Sequence, residues 1–390
     1  MAWTGSTISM KVLSIDIGTG TMDVLLTDTR LDIENSLKLV LPSPTMQVQR
    51  KIQQATLDGE DILLTGRMMG GGPSGWAAGA HLRAGHHVYA IPAAARSFND
   101  DLEKIKEMGI QVISEDEAES LPSSVQRIRM CDFDFPAIAG VFTRFGVNLD
   151  DLGAVAVSVF DHGNAPVDVS DRKFRFNYLN ARIRSSDRLF TFAFRSDEVP
   201  AIMTRLQAVV DGACDLSAPL VVMDSAPAAI LGAMYDPQVR TFDRKIMVNV
   251  GNLHTLAFRI HREHIEGIFE HHTGALDQPK LETLLTKLAN GTLANDDVFN
   301  DHGHGALLHT IDPWYLKDED ARLVVTGPRR SLLQGSALHP YMAVPFGDMM
   351  TSGCIGLLAA TGELLPELKE PIHLALNNVT KRRVSPWEIE

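Results

Sequence analysis

Residues 16–21 read Asp16-Ile17-Gly18-Thr19-Gly20-Thr21 and lie between two apolar runs, residues 12–15 and residues 24–26. This pattern predicts two strands joined by a tight turn, with a carboxylate at the end of the first strand. The glycines allow backbone N–H groups to approach an anion closely, and the threonines add hydroxyl donors. A hard cation that keeps most of its waters needs only one or two carboxylates. The turn therefore predicts a site for a phosphate tail, with Asp16 orienting a Mg2+ ion.

Composition limits the classes of protein that this chain can represent. The 390 residues carry a formal net charge of −13, and 45% of them are hydrophobic. That length favours two domains of an ordinary globular protein, and the acidic balance argues against nucleic acid as a partner. The chain shows neither a signal-peptide pattern nor a run of about 20 apolar residues, so no membrane association is expected. Three dispersed cysteines, Cys131, Cys214 and Cys354, indicate no disulfide framework and fit a cytoplasmic location.

The rest of the chain alternates strand and helix patterns, including helices predicted over residues 47–57 and 197–213. A buried-strand pattern that starts just after residue 150 predicts an N-terminal lobe, 1–150, and a C-terminal lobe, 151–390. A second strand meander opens with Asn249-Val250-Gly251-Asn252-Leu253-His254. When the two turns are superposed by eye, Asp16 falls on Asn249. This weak internal duplication predicts two related lobes that face one another.

Four motifs in order resemble those of the actin, heat-shock-protein-70 and sugar-kinase superfamily of ATPases. Residues 16–21 resemble its first phosphate motif, and residues 224–232 its connecting segment. Residues 249–252 resemble the second phosphate motif, and residues 324–328 the adenosine motif. The resemblance implies an α/β protein with a two-lobed actin-like ATPase (ribonuclease H-like) fold, in which mixed sheets are flanked by helices. It also implies ATP and Mg2+ bound between the lobes.

The resemblance assigns roles to particular residues. Asp224 is expected to be a second outer-shell carboxylate. The second turn departs from the superfamily pattern, because Asn249 replaces an acid and Leu253 replaces a small residue that leaves the phosphate cradle open. We therefore expect this turn to bind ATP weakly, differently or not at all. The expected phosphate and nucleoside contacts are Gly18, Thr19, Gly20, Thr21, Gly251, Asn252, His254, Thr326 and Gly327.

A further pair of candidate residues, Asp161 and His162, follows the apolar run at residues 154–160 and precedes Gly163. A strand end beside a glycine directs side chains into a cleft, so this pair is predicted to activate water or bind a small-molecule substrate. The segment is similar to the strand and turn that sugar kinases of the glycerol and xylulose kinase type place beside the substrate. Their Trp-x-Asp-x-Arg setting for a catalytic base has no counterpart in this chain.

Two histidine-rich segments, residues 270–274 and 301–305, offer a different chemistry. Neutral imidazoles beside carboxylates bind Zn or Fe. The alternative metal site predicted from these segments consists of His271, His272, His302 and His304.

As a whole the chain resembles a prokaryotic family often labelled pyruvate formate-lyase-activating-like. That label implies a radical-SAM enzyme, whose cluster requires a close cysteine triad that dispersed cysteines do not supply. Three functions stay open at this point. The first is a nucleotide-binding phosphotransferase or ATPase acting on an unknown small molecule. The second is a non-catalytic or weakly hydrolytic module that regulates a partner enzyme, and the third is a His/Asp metal-dependent hydrolase.

Overall fold

A computed structural model describes residues 10–166, 169–318, 321–377 and 385–388 of the chain. The strands in these ranges form two sheets of six strands and one sheet of four strands. In chain order the strands are β1 (Lys11–Ile17), β2 (Thr21–Asp28), β3 (Leu37–Pro42), β4 (Ile62–Gly66), β5 (Val88–Ala90), β6 (Gln111–Val112), β7 (Gln126–Met130), β8 (Leu152–Val159), β9 (Ala193–Arg195), β10 (Leu220–Asp224), β11 (Arg244–Val250), β12 (His254–His261), β13 (His264–His272), β14 (Gly305–Leu308), β15 (Ala321–Thr326) and β16 (Tyr341–Met342).

Helices cover both faces of the two large sheets. In chain order the α-helices are α1 (Pro44–Asp58), α2 (Gly72–Arg83), α3 (Pro92–Ala95), α4 (Leu102–Glu107), α5 (Glu115–Ser120), α6 (Phe135–Arg144), α7 (Asp171–Ser185), α8 (Thr204–Gly212), α9 (Ser225–Ala233), α10 (Gln278–Ala289), α11 (Asn295–Phe299), α12 (Ser352–Leu364) and α13 (Pro366–Leu376). None of the helices in the described ranges combines the length and apolarity that crossing a membrane requires.

The first large sheet has the strand order β3-β2-β1-β8-β10-β9. Strand β1 pairs antiparallel with β2 and parallel with β8, and β10 pairs parallel with β8. The run Val12–Ile15 is buried throughout because side chains on both faces of β1 meet other elements. This sheet therefore combines the predicted antiparallel meander with parallel strands that need covered faces.

The second large sheet repeats the arrangement of the first one. Its order is β14-β13-β12-β11-β15-β16, with β11 antiparallel to β12 and parallel to β15. Strand β11 thus corresponds to β1, β12 corresponds to β2, and β15 corresponds to β8. A meander of three strands followed by parallel strands on the other side of the first one is the ribonuclease H-like order. The duplicated order confirms the predicted two-lobed actin-like α/β fold.

The predicted lobe boundary near residue 150 falls ahead of three strands that belong to the first sheet. Strands β8 and β10 complete the first sheet, so the first lobe continues to Asp224. A parallel neighbour of β1 requires a long connection, and this connection contains a separate parallel sheet of order β6-β5-β4-β7. The buried run after residue 150 therefore returns to a sheet that the chain had already begun. It does not open a new domain.

Helices α9 and α12 lie between the two large sheets and cross at very short range. A Cβ placed on Gly356 would lie 1.9 Å from the backbone oxygen of Ala228, and one on Gly232 would lie 1.7 Å from that of Ser352. Only glycine permits backbones to approach this closely. Helix α9 also contacts β11 of the second sheet, and α12 contacts β1 of the first. The small residues of segment 224–232 therefore join the lobes, as the resemblance implied.

Candidate functional site

A cleft of about 810 Å³ lies between the lobes, at the ends of their strands. Twelve of the thirteen residues predicted for the nucleotide and substrate sites line it, which leaves only Asp224 outside. The lining residues of that set are Asp16, Gly18, Thr19, Gly20, Thr21, Asp161, His162, Gly251, Asn252, His254, Thr326 and Gly327. The duplicated fold brings these residues together because both turns follow the first strand of their own sheet.

The two turns have the same hydrogen-bond geometry. The N–H of Gly18 donates to the carbonyl of Thr21 at 2.9 Å, and the N–H of Gly251 donates to the carbonyl of His254 at 2.9 Å. The turns also face each other, because a Cβ placed on Gly20 would lie 2.7 Å from Nδ2 of Asn252. The cleft is therefore closed at its base by two matching hairpins, one from each lobe.

Asp16 is held firmly at the end of β1. Its Oδ1 accepts hydrogen bonds from Oγ of Ser158 at 2.6 Å and from Oγ of Ser225 at 2.7 Å. A Cβ placed on Gly353 would lie 2.0 Å from Oδ2 of Asp16, so only glycine leaves room for this carboxylate. Burial raises the pKa of Asp16, although both serine hydroxyls oppose the shift. Elements of both lobes thus fix one carboxylate at the mouth of the first turn.

A second carboxylate, Asp23, lines the cleft beside Asp16 and was not predicted from the sequence. The two residues are direct partners in the β1–β2 ladder, which places their side chains on the same face. Burial, together with the charge of Asp16, raises the pKa of Asp23 to about 8. Its Oδ1 is buried and meets no hydrogen-bond partner among the described residues. The sequence did contain a signal for this second carboxylate, because Asp16 and Asp23 flank the turn on its two sides.

These two carboxylates fit a Mg2+ ion. The fit rests on the unpartnered Oδ1 of Asp23 and on Oδ2 of Asp16, since the serine hydroxyls occupy only Oδ1 of Asp16. Mg2+ usually takes one or two protein carboxylates and completes its shell with water and phosphate oxygens. Asp16 and Asp23 would hold the ion, which would neutralise phosphate charge at the first turn.

The second turn differs from the first in its side chains. A Cβ placed on Gly327 would lie 2.4 Å from Oδ1 of Asn249, so the Asn249 carboxamide lies against the predicted adenosine motif. Leu253 extends towards the start of helix α2, and its Cδ1 would lie 3.3 Å from a Cβ placed on Gly72. The second turn therefore retains the backbone geometry of a phosphate turn but presents an amide and an apolar side chain.

Asp161 and His162 lie in the cleft as predicted, but the structure gives Asp161 a structural task. Its Oδ1 accepts the N–H of Gly163 at 2.8 Å and its Oδ2 accepts the N–H of Leu206 at 2.8 Å. Both oxygens are therefore engaged by backbone N–H groups, and one of these contacts ties the end of β8 to α8. Burial, reinforced by the charge of Arg175, lowers the pKa of His162 to about 3, so this imidazole is neutral.

Asp224, the predicted outer-shell carboxylate, is engaged by a buried arginine. Its Oδ2 accepts a hydrogen bond from Nη1 of Arg175 at 2.8 Å, and it lies outside the cleft lining. Arg175 also donates from Nε to Glu270 Oε2 at 2.9 Å. Burial raises the pKa of Asp224 to about 6, against the opposing charge of Arg175. This pairing was not predicted, because Arg175 lies on helix α7, which the sequence pattern did not indicate.

Another carboxylate in the cleft, Asp100, also escaped the sequence analysis. It lies just before α4, and its Oδ1 is buried without a hydrogen-bond partner among the described residues. Burial and the charges of Asp171 and Asp161 raise its pKa to about 6. A carboxylate with a pKa near neutrality suits proton transfer. Its neighbour Asp101 caps α4. In the sequence, these two aspartates therefore indicate only the start of a helix.

The histidines combine differently from the predicted set. His254, His272 and His304 offer one donor atom each within 4.8 Å of one another. His271 is directed elsewhere, with its Nε2 3.0 Å from Oδ2 of Asp301, and the side chain of His302 is exposed. The predicted set and this trio therefore share His272 and His304, but not His271 and His302. Successive side chains of a strand point to opposite faces, so His271 and His272 cannot serve one site.

The duplicated sheets and their shared cleft define the chain as a two-lobed protein of the actin-like and sugar-kinase superfamily. It belongs to the family described as "Putative pyruvate format-lyase activating enzyme (DUF1786)", whose profile matches residues 69–332. This confirms the predicted family, although the first turn lies outside the matched range. Cys131 is partly buried, Cys214 exposed and Cys354 buried, and no cysteine joins a group of three metal-binding side chains among the described residues. The radical-SAM chemistry implied by the family description therefore lacks its ligands in this part of the chain.

Two solved structures of similar length show distant similarity. The ethanolamine utilization protein EutJ from Carboxydothermus hydrogenoformans is 9% identical, with 91% of each chain covered and a TM-score of 0.33. The apo psk41 ParM protein is 12% identical, with 93% of this chain and 99% of that chain covered and a TM-score of 0.31. No curated protein sequence matches the chain.

Proposed function

We propose that the protein binds a nucleoside triphosphate with Mg2+ in the cleft between its lobes. The observation that carries this proposal is the pair of matching turns, in which Gly18 and Gly251 make the same backbone hydrogen bond and the turns face across the cleft. Turns of this kind present backbone N–H groups to an anion. A cleft of about 810 Å³ also falls within the size range of small-molecule sites.

The first turn supplies the contacts to the phosphates. The hydroxyls of Thr19 and Thr21 and the N–H groups of the turn hold the phosphate oxygens, while Asp16 and Asp23 hold the Mg2+ ion. Positioning and charge neutralisation account for most of the catalysis in phosphoryl transfer. Thr326 and Gly327 lie at the second lobe's side of the cleft, where the nucleoside would rest.

The proposed reaction is transfer of the terminal phosphoryl group to the hydroxyl of a small molecule or to water. Asp100 is the general base of this proposal, since its unpartnered Oδ1 lines the cleft and its pKa is about 6. A carboxylate of that pKa is ionised at neutral pH and still accepts a proton efficiently. Asp161 cannot take this role because both of its oxygens are engaged by backbone N–H groups.

Calorimetric titration of the full chain with ATP, with and without Mg2+, tests the proposal. We expect ATP to bind more tightly with Mg2+, and we expect Asp16→Asn to remove the Mg2+ effect. Asp215→Asn is the matched control, because Asp215 is exposed in a turn outside the cleft lining. Failure of ATP and other nucleotides to bind the parent protein would refute the proposal.

A second function is favoured by the altered second turn. Asn249 supplies no charge, and Leu253 places an apolar side chain where phosphates would approach. These features fit a module that binds a nucleotide, changes the angle between its lobes and regulates a partner enzyme without rapid hydrolysis. ATP binding accompanied by turnover in the presence of small-molecule acceptors supports the phosphotransferase. Tight binding without turnover supports the regulatory module.

A further inference from the structure

We infer that His254, His272 and His304 form a binding site for a single first-row transition-metal ion, with Zn2+ as the best-suited ion. One donor nitrogen from each residue lies within 4.8 Å of the others. Ligand nitrogens at about 2.1 Å from a tetrahedral zinc ion lie about 3.4 Å apart. Small rotations of the three imidazole rings therefore bring the donors into contact with one ion. His254 is shared with the lining of the cleft proposed for the nucleotide, whereas His272 and His304 lie outside that lining.

The sheet itself assembles the three imidazoles. His254 begins β12, His272 ends β13, and His304 immediately precedes β14, so three neighbouring strands end at one edge with a histidine. His254 and His272 are direct partners in the β12–β13 ladder and therefore share a face. The rings of His272 and His304 lie 4.8 Å apart, and those of His254 and His304 lie 5.0 Å apart. Residues far apart in sequence are thus brought together by strand pairing.

His304 is oriented by a buried carboxylate. The side chain of His304 is buried, and its Nδ1 contacts Oε1 of Glu270. This contact leaves Nε2 as the nitrogen that is available to a metal. A carboxylate on the far nitrogen of a ligating histidine fixes its ring and increases its basicity, as in carboxylate–histidine–zinc sites. Glu270 is therefore a positioning residue for the site.

The charges behind the imidazoles also favour a cation. Arg175 pairs with both Glu270 and Asp224, and all three side chains are buried. This cluster places two carboxylates and one guanidinium beside the three rings. Buried charge is costly unless it is balanced, and a divalent ion at the imidazoles would balance it.

The nitrogens of His254 and His272 have no protein hydrogen-bond partner among the described residues. The His254 ring is instead stacked on Phe160 at 4.3 Å with an interplanar angle of 5°. His254 also lines the cleft. A fourth coordination position of the ion, on the side away from the strands, would therefore be open to molecules in the cleft. A site with three protein ligands and one open position has the form of a catalytic zinc site, where water or a substrate oxygen completes the shell.

Metal analysis of the nucleotide-free full chain tests this inference. We expect one zinc ion per chain after reconstitution, a visible absorption band when Co2+ replaces it, and no displacement by Mg2+, which prefers oxygen ligands. His254→Phe and His272→Phe should each abolish the Co2+ band while retaining a ring of similar size. An unchanged band in both variants would overturn the assignment.

His302→Asn is the matched control, because His302 is exposed and adopts a φ of 65°, a region that asparagine tolerates. Its Co2+ band should equal that of the parent. Loss of the band in this control would also contradict the proposal. Zn2+ should raise the melting temperature of the parent and a chelator should reverse the rise, a measurement that requires no variant. No zinc-dependent shift would overturn the site even if ATP binds.

Discussion

Asp23 shows how much a single side chain adds to the first turn. Alone, Asp16 offers one free oxygen, because two serine hydroxyls engage the other. The partner strand supplies the second carboxylate on the same face, and its Oδ1 is unpartnered. Repulsion between the two carboxylates, which contributes to the raised pKa of Asp23, is relieved when a divalent cation lies between them. The pair is therefore better suited to a metal–phosphate ligand than to an empty cleft.

The substitution Asp23→Asn should remove most of the Mg2+ dependence of ATP binding. Losing a charge-assisted contact of about 1.5–3 kcal/mol corresponds to about 10- to 100-fold weaker binding in the presence of Mg2+. Affinity measured without Mg2+ is the internal control and should change little. Isothermal titration with and without the ion measures both values. A parent-like Mg2+ effect in the variant would show that Asp16 acts without Asp23.

A second residue-scale prediction concerns Asp100. Because a base must be ionised to accept a proton, turnover should rise with pH up to about 6 and then level off, following the pKa of Asp100. The substitution Asp100→Asn should lower turnover by about 10²- to 10⁴-fold and remove the rise of turnover with pH in the acidic range. ATP affinity should stay near the parental value because Asp100 makes no predicted phosphate contact. If turnover of the variant still rises with pH in the acidic range, Asp100 is not the base.

Among the structural elements, the second turn decides how tightly a nucleotide can bind. Its backbone repeats the first turn, whereas the Leu253 side chain extends over the cleft towards Gly72. Leu253→Ser should open the cradle and strengthen ATP binding about 5-fold or more, if about 1 kcal/mol of crowding is relieved. Leu57→Ser is the control, since Leu57 is 82% exposed on α1. Unchanged or weaker binding in Leu253→Ser would show that Leu253 does not crowd the ligand.

The sequence predicted elements with strong local patterns and missed those defined by distant partners. The β1–β2 hairpin and the helix expected over residues 47–57 match the structure, in which α1 spans Pro44–Asp58. The helix expected over 197–213 begins only at Thr204, after a turn that contains Pro200. Helix α7 was not predicted, because basic residues interrupt the spacing of its apolar positions. One of these basic residues, Arg175, is buried because it pairs with two carboxylates from distant parts of the chain.

Prediction of the candidate site from the sequence was limited in the same way. The turns could be found because each is a short contiguous motif, and their residues line the cleft. The trio of His254, His272 and His304 depends on the pairing of three strands, whose register cannot be read from the spacing of the histidines. The sequence pattern favoured neighbours such as His271 and His272, although strand alternation separates them. The position in the cleft of residues carried by one segment could therefore be predicted, and a cluster assembled across a sheet could not.

At the scale of the whole molecule, helices α9 and α12 connect the two lobes beneath the cleft. Helix α9 follows the last parallel strand of the first sheet, yet it packs on β11 and β15 of the second sheet. Helix α12 packs on β1 of the first sheet, and Gly353 at its start lies against the Asp16 carboxylate. Any change in the angle between the lobes must therefore move these helices. Their contact links the phosphate turns to the relative position of the lobes.

Gly356→Ala tests this contact, because a Cβ at Gly356 would lie 1.9 Å from the backbone oxygen of Ala228. The helices must separate to accommodate it, so we expect the free energy of unfolding to fall by about 1–3 kcal/mol or more. The displaced α12 should also weaken ATP binding through Gly353 and Asp16. Gly140→Ala is the matched control, since a Cβ there meets nothing within 4 Å on helix α6. It should raise stability by about 0.5–1 kcal/mol and leave ATP affinity unchanged. Chemical denaturation and titration of both variants measure these effects, and equal behaviour of the two would show that the lobes do not depend on this close helix contact.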